Sequence, residues 1–417
     1  MTRDDRRDRR RLGAVVLAVL VSQVLLYPGV PGLVVALGAP AGIDAGMWFL
    51  VAEFAAFVAF AVVWGAASDA LGRRVPLVVI GAVGGACSYL VLAAVPALGG
   101  GFEAALAVRV VGGAFTIGAF SLGITLLMDL GGGNGRNMGA AGVAIGLGAA
   151  VGSTVGGVLA DLDPFYPVYA GAIVLGSAGL LALGVDERLA SRSDEDATSS
   201  ESHASEDVGV RAVLARIRST PTLLVPFAFG FVDRLTAGFL SLVGVYYFQD
   251  PATFGLSAAG AGATLGLFFV PFAVLQAPLG ALSDRIGRFY PIVLGSVAYG
   301  VVIAGVGVAP VYPVAAALMV LVGVCGALIA PATMALVTDL VDREARGAAM
   351  GLFNVFGSLG FLTGFLVGGA TTGTLGYRPA FLAVGGMELV IAMLLLPVVY
   401  RIAPRVESMK RFDAERS

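Results

Sequence analysis

The sequence predicts an all-α membrane protein of twelve transmembrane helices, arranged as two pseudo-symmetric six-helix bundles. Three observations carry that prediction. Hydrophobic residues fill 58% of the 417 positions and charged residues only 13%, about half the charged share of a soluble domain, and mean hydropathy is +0.91. Apolar runs of roughly 20 residues, the length that crosses a bilayer, recur along almost the whole chain. A polar loop also occurs twice: Gly65-Ala66-Ala67-Ser68-Asp69-Ala70-Leu71-Gly72-Arg73-Arg74 returns 215 positions later as Gly280-Ala281-Leu282-Ser283-Asp284-Arg285-Ile286-Gly287-Arg288. Each copy is followed by a proline (Pro76, Pro291) and sits where one apolar run stops and the next begins.

The spans are read in order as residues 12–37, 47–68, 75–97, 103–128, 137–160 and 166–185, then 221–248, 258–282, 290–309, 312–338, 347–370 and 379–400. The basic segment Arg3 to Arg11 before the first span resembles the start of a signal peptide, but the apolar run behind it is too long for a cleaved segment, so an uncleaved first span is expected. The only long polar stretch, Asp186 to Thr220, is acidic around Ser193 to Ser202 and lacks large apolar side chains there, a composition that predicts a solvated linker. The predicted organisation is therefore a first bundle over 1–187, a linker over 188–220 and a second bundle over 221–417. Placing basic residues on this topology puts 23 of the 26 on one side. The positive-inside rule then predicts a plasma-membrane protein with both termini and the linker in the cytoplasm.

Several chemistries are excluded. Cys87 and Cys325 lie in separate apolar runs and His203 is the only histidine, so neither a disulfide framework, a metal set nor a nucleophile–base pair can be drawn. The single lysine, Lys410, rules out a Gly-Lys-Ser/Thr phosphate loop. No enzyme, cofactor, metal or nucleic-acid partner is expected.

A second repeat supports the halving. Span five carries Gly148, Gly152, Gly156 and Gly157, and span eleven carries Gly360, Gly364, Gly368 and Gly369, offset by 212. Small residues four apart form a groove down one helix face into which another backbone fits closely.

Together these features resemble the major facilitator superfamily of secondary transporters. The resemblance covers essentially the whole chain: two six-span halves, a long middle loop, the Gly-x-x-x-Asp-x-x-Gly-Arg-Arg signature after span two and its return after span eight. Arg109-Val110-Val111-Gly112-Gly113 is similar to the family's Arg-x-x-x-Gly element in span four. The span-five pattern is similar to the Gly-x-x-x-Gly-Pro-x-x-Gly-Gly element of drug–proton antiporters, except that Ser153 stands in the proline position.

The resemblance implies roles for particular residues. Gly65, Asp69, Gly72 and Arg73 of the first loop, with Gly280, Asp284, Gly287 and Arg288 of the second, are expected to form a conformational latch. Asp69 would face the N-terminus of span eleven and Asp284 that of span five, where a helix dipole favours negative charge. Arg73 and Arg288 would pair with Asp129 and Asp339 at the ends of spans four and ten, Arg74 would be an anchor, and the first copy would be the tighter latch. Charges inside spans are functional candidates by default, because each is costly at mid-bilayer unless paired. Asp233, with Arg234 beside it in span seven, is the first candidate for proton coupling or substrate binding, the alternative being a mutually neutralising structural pair. Its counterpart in span one is Gln23, 210 positions earlier.

Glu53 and Arg109 each lie six residues inside the outer end of their spans, a depth of roughly 9 Å, so an ion pair between spans two and four is expected; it is open whether that pair is functional or structural. Gln23, Tyr27, Gln276 and Asn354 complete the predicted cavity, with Pro28 and Pro31 interrupting span one. Glu388 in span twelve is assigned to packing. The expected activity is proton-coupled efflux of an amphipathic or lipophilic small molecule by a monomer, the alternatives being a nutrient or organic-acid importer and a non-transporting receptor or scaffold. The expected partners are that substrate, protons and the lipid bilayer.

Overall fold

The computed structural model describes residues 3–130, 134–185, 221–341 and 346–414. The predicted linker over 188–220 lies outside them, as do the loops before spans five and eleven. The described residues build an all-α protein whose helices we number in chain order: α1 (Arg3–Val24), α2 (Val30–Ala36), α3 (Ile43–Leu71), α4 (Val75–Ala94), α5 (Phe102–Asp129), α6 (Asn134–Leu162), α7 (Tyr166–Ala182), α8 (Leu224–Phe239), α9 (Val245–Gln249), α10 (Ala258–Ile286), α11 (Phe289–Gly307), α12 (Tyr312–Asp339), α13 (Arg346–Leu375) and α14 (Tyr377–Ala414).

Eleven segments are long and apolar enough to cross a membrane, and the 17-residue α7 is a shorter apolar helix in the place of the sixth predicted span. The fold is thus the predicted twelve-helix one, and the chain is a multi-pass membrane protein. In hydrocarbon every backbone polar group must be paired within the protein, which an apolar helix achieves by itself. Chain breaks follow local chemistry. Proline occupies the first turn of α4, α7 and α12, where its missing N–H has no helical partner to lose. Gly72 and Gly287 close the two repeated loops with positive φ of 59° and 87°, a conformation that side chains with a Cβ resist.

Spans one and seven are irregular at related positions. The first breaks into α1 and α2 at a short 3-10 turn, Tyr27–Gly29, which contains Pro28; the seventh passes from α8 to α9 through a π-helical turn, Leu240–Gly244.

The chain divides into two compact units. The first combines the described part of Met1–His203 with Ser241–Ala273, and the second combines the described part of Ala204–Leu240 with Val274–Ser417. In the first unit α1 packs on α6 and α7, α4 lies between α5 and α7, and α3 packs along α5. Its core joins Leu12, Val15 and Val19 of α1 to Val78, Leu122, Leu126 and Leu175. In the second unit α8 packs along α13, while α11 lies against α12 and α14. Its cores hold Val225, Phe229, Ile292 and Leu336, with Phe227 stacked on Phe356. The pairings of spans one with five, three with six and three with four thus recur as seven with eleven, nine with twelve and nine with ten.

The glycine repeats lie on two of these seams. A Cβ at Gly148 or Gly152 would stand 2.9 Å from the carbonyl oxygens of Leu17 or Val21 on α1, and Gly156 lies against that of Leu25. Gly157 lies against the carbonyl of Ala258. On α13, Gly360 and Gly364 lie against the Phe231 and Leu235 carbonyls of α8, and Gly368 and Gly369 are buried further along. Backbones this close leave no room for side chains.

Candidate functional site

Among the described residues, each unit holds a buried ionisable cluster within its spans. In the first, α3 supplies Glu53 and α5 supplies Arg109, and the guanidinium Nη2 donates to the carboxylate Oε2. The close approach that permits this is built by glycine: Gly113 of α5 lies against the Glu53 backbone carbonyl, and Gly112 lies against Ser88 of α4. Arg109 is 2% exposed and Glu53 3%. The guanidinium sits 4.4 Å above the Phe49 ring and 5.9 Å from that of Tyr89, so π faces cover the cation where water is absent. Tyr27, at the break in span one, is buried within electrostatic range of both members of the pair. Tyr89 donates to the Ser22 carbonyl oxygen at 3.3 Å. Glu53 Oε1, Arg109 Nε and Gln23 Nε2 are buried without a hydrogen-bond partner, so the cluster has free donor and acceptor capacity.

In the second unit Asp233 of α8 is buried while the adjacent Arg234 side chain is 41% exposed, and their nearest approach is 4.0 Å. Neighbours a helical step of 100° apart point different ways, which is why the acid turns into the bundle and the base does not. Asp233 lies within electrostatic range of Tyr299 of α11 and Glu388 of α14, and both of these lie within range of Cys325 of α12. Gln276 is half-buried and Asn354 exposed, so neither joins this cluster.

The sequence offered a signal for one residue it left unassigned. Tyr89 and Tyr299 are separated by 210 positions, the same offset that relates Gln23 to Asp233, and both tyrosines are fully buried within electrostatic range of their unit's acid. Glu388 was assigned to packing, and it is indeed buried on the α11 side of α14; its proximity to Asp233 needed the fold.

The repeated loops differ in their pairings. In the second copy Arg288 reaches Asp339 at 3.3 Å, Asp284 at 2.5 Å and the Ser283 hydroxyl at 3.0 Å, while the Asp284 side chain is 66% exposed. In the first copy Asp129 is engaged by Arg74, not by Arg73 as expected, and Arg73 is exposed. After the left-handed turn at Gly72 it is the second arginine that returns toward the end of α5. Asp69 is exposed, with the Ser68 hydroxyl 3.4 Å from its carboxylate. Gly65 has open space around it, and Gly280 lies next to Pro331. The contacts of Asp69 and Asp284 with the starts of spans eleven and five fall on side chains outside the described residues.

A charge–dipole contact of the expected kind occurs elsewhere. At the end of α6, Asp161 accepts the backbone N–H groups of Ala258 and Ala259 at 2.8 and 3.1 Å, while the Ser257 hydroxyl accepts that of Gly260 at 3.2 Å. The first turn of α10 thereby finds acceptors for three N–H groups that no helix can satisfy internally. Around this cap, Gly262 lies against the Ser153 carbonyl and Gly46 against the Tyr246 ring. Gln249 Nε2 donates at 2.8 Å to the Pro28 carbonyl oxygen at the break in span one. Among the described residues no group of three or more His, Cys, Asp or Glu is placed to hold a metal ion.

Comparison with known proteins follows the same lines. The sequence profile of the Major Facilitator Superfamily matches residues 12–252 and 235–415. The magnetosome protein MamH of Paramagnetospirillum magneticum (strain ATCC 700264 / AMB-1) is 29% identical over 203 residues, 46% of each chain. The multidrug resistance protein MdtG of Yersinia enterocolitica is 34% identical over 111 residues, 26% of this chain and 27% of that one. The chain thus spans under half the length of these curated relatives. Among solved structures, a bacterial homologue of the human lysosomal transporter Spinster, in an inward-facing and unoccupied conformation, superposes with a TM-score of 0.74 at 14% identity, covering 97% of this chain and 99% of that one.

Proposed function

Because the chain belongs to the Major Facilitator Superfamily, we propose that it is a secondary transporter that moves a small amphipathic or lipophilic molecule out of the cell in exchange for protons. The observation that carries this reading is Asp233, a carboxylate buried inside a membrane span whose nearest base, Arg234, stands 4.0 Å away with its side chain 41% exposed. Such a group is costly in hydrocarbon unless paired or hydrated, which makes it a functional candidate by default. The scarcity of charge in the two clusters favours weakly polar substrates over sugars, which need many hydrogen bonds. The local similarity to the multidrug efflux pump LfrA of Mycolicibacterium smegmatis, 30% identical over 105 residues, supports export.

In the proposed cycle two halves, residues 1–187 and 221–417, move by alternating access. The glycine seams keep each half rigid, and the Asp161 cap holds the α6 and α10 ends together in one state. Asp69 and Asp284 latch the opposite, cytoplasmic ends in the other. Gln23, Tyr27 and the Glu53–Arg109 pair are the proposed coupling or substrate residues of the first half, and Asp233, Arg234, Gln276 and Asn354 those of the second. The chain acts as a monomer in the plasma membrane with both termini in the cytoplasm.

The test is flux in proteoliposomes under an imposed pH gradient, with a panel of lipophilic cations, weak acids and sugars. Asp233→Asn is expected to abolish gradient-driven flux while leaving counterflow exchange. Gradient-driven flux at the wild-type level in that variant removes Asp233 from the mechanism. Uptake of a sugar or organic acid down the proton gradient overturns export, and no flux for any compound overturns transport.

A further inference from the structure

The basic segment at the start of the chain is sorted by side. Helix α1 runs unbroken from Arg3 to Val24, so the arginines before the first span ride on the same helix as the span itself. At 100° per residue, Leu12, Val15 and Val19 share one side of that helix, and all three are fully buried in the first unit's core. Arg6, Arg7 and Arg10 fall within an arc of roughly 100° on the opposite side, and all three are exposed. Among the side chains described in this segment the acid is Asp8, and it sits on the core side, 6% exposed and 3.8 Å from Arg11. Arg11 in turn donates to the Gly184 carbonyl oxygen just beyond α7, where a cation meets the negative end of a helix.

The exposed arginines work against the helix that carries them. Arg10 stands four residues from Arg6 and three from Arg7, so like charges are neighbours on one surface. Arg6 also falls in the first turn, where the macrodipole disfavours a cation. Anionic groups outside the helix would relieve both costs. The face stands at the depth where such groups are found. Arg10 and Arg6 precede Leu12 by two and six residues, roughly 3 and 9 Å along the axis, and the headgroup layer beside the hydrocarbon is roughly 5–8 Å thick. A guanidinium presents a planar fork of donors that matches two phosphate oxygens.

We propose that Arg6, Arg7 and Arg10 form a docking face for anionic phospholipid headgroups, and that headgroup binding fixes the depth of α1 in the bilayer. Three guanidinium groups at headgroup level, on the side of the helix away from the core, match that partner in charge and position. Because α1 packs on α5, α6 and α7 and Arg11 ties it to the chain end of α7, the headgroups hold the first unit and not a loose tail. None of this depends on what the protein transports.

The test is native mass spectrometry of the purified full-length protein in neutral detergent, titrated with phosphatidylglycerol or with phosphatidylcholine carrying the same chains. At roughly fivefold per arginine, the equivalent of about 1 kcal/mol, wild type is expected to hold phosphatidylglycerol at least ~tenfold more tightly. Arg6→Gln, Arg7→Gln and Arg10→Gln together are expected to lose that preference. Lysine at the same three positions, which keeps the charge, is expected to retain most of it. The exposed Arg285, Arg378 and Arg401 serve as the comparison: changing all three to Gln is expected to leave the preference in place. Inorganic phosphate, at the concentration that half-saturates the lipid, is expected not to displace it. No preference in wild type, equal losses in the two glutamine triples, or displacement by free phosphate overturns the proposal. So does a preference that emerges only with Asp194→Asn, Glu195→Gln and Asp196→Asn, because the chain's own acidic segment would then be the occupant.

Discussion

Removing one partner of the Glu53–Arg109 pair should have consequences that depend strongly on which partner is removed. Both side chains are almost wholly buried and joined to each other, and breaking such a pair typically costs about 3–5 kcal/mol. In Arg109→Gln the stranded acid has an escape: it can enter the fold protonated. Loading a proton at pH 7 onto a carboxyl with an ordinary pKa near 4.3 costs about 4 kcal/mol, and at pH 5 only about 1 kcal/mol. The folded variant then binds one more proton than its unfolded chain, so its stability should rise as pH falls, by about 3 kcal/mol between pH 7 and pH 5. In Glu53→Gln the guanidinium has no such escape, since arginine stays charged. Its loss should be pH-independent and limited only by the Phe49 and Tyr89 rings, worth about 0.5–2 kcal/mol. The double glutamine variant, with no buried ion, should be more stable than either single one. The assay is unfolding of purified protein in detergent at both pH values, with wild type as the reference at each. Equal, pH-independent losses in the two single variants, adding in the double one, would refute the reasoning.

Two further outcomes follow from the loops. Asp161→Ala removes the acceptor for the Ala258 and Ala259 amides, a capping loss of about 1 kcal/mol for an exposed carboxylate. It should shift the equilibrium between conformers roughly fivefold toward the one open at that end. Alkylation of a cysteine placed at the buried Ser153 should quicken by that factor, and an unchanged rate would show that the cap does not hold the seam. Arg74→Gln should lower the unfolding midpoint in detergent by the equivalent of about 1 kcal/mol, because Arg74 is the partner of Asp129. Arg73→Gln should leave the midpoint unchanged, and equal effects would contradict the pairing.

Much of the architecture was legible because duplication writes the same information twice. Twelve apolar runs, the repeated loop and the glycine series needed no structure, since helix period and span length are local properties of the sequence. Glu53 and Arg109 were legible for a related reason: depth along a helix is a count of residues, and the two counts agreed. What stayed hidden depends on rotation about a helix axis or on distant backbone. Whether Arg73 or Arg74 meets Asp129 is decided by the turn at Gly72. The partners of Asp161 are backbone amides 97 and 98 residues away, and an amide leaves no trace in residue identity. Glu388 could be placed in span twelve but not on the face of α14 that packs on α11. The match between Tyr89 and Tyr299 was available from the 210-residue offset that also relates Gln23 to Asp233.

The path of the chain through its two units bears on how the protein is made. The first unit is not closed by its own contiguous sequence: it takes in Ser241–Ala273, whose Ala258 and Gly262 meet Gly157 and Ser153. A ribosome that has released the sixth span must therefore add about 85 more residues before that surface is covered, a wait of roughly 4–17 s at ~5–20 residues per second. Through that interval the Ser153 and Gly157 side of α6 stands open in the lipid, available to any small-faced helix of the translocon or of another nascent chain. Biogenesis of this protein is then a matter of shielding one helix face until its covering segment arrives.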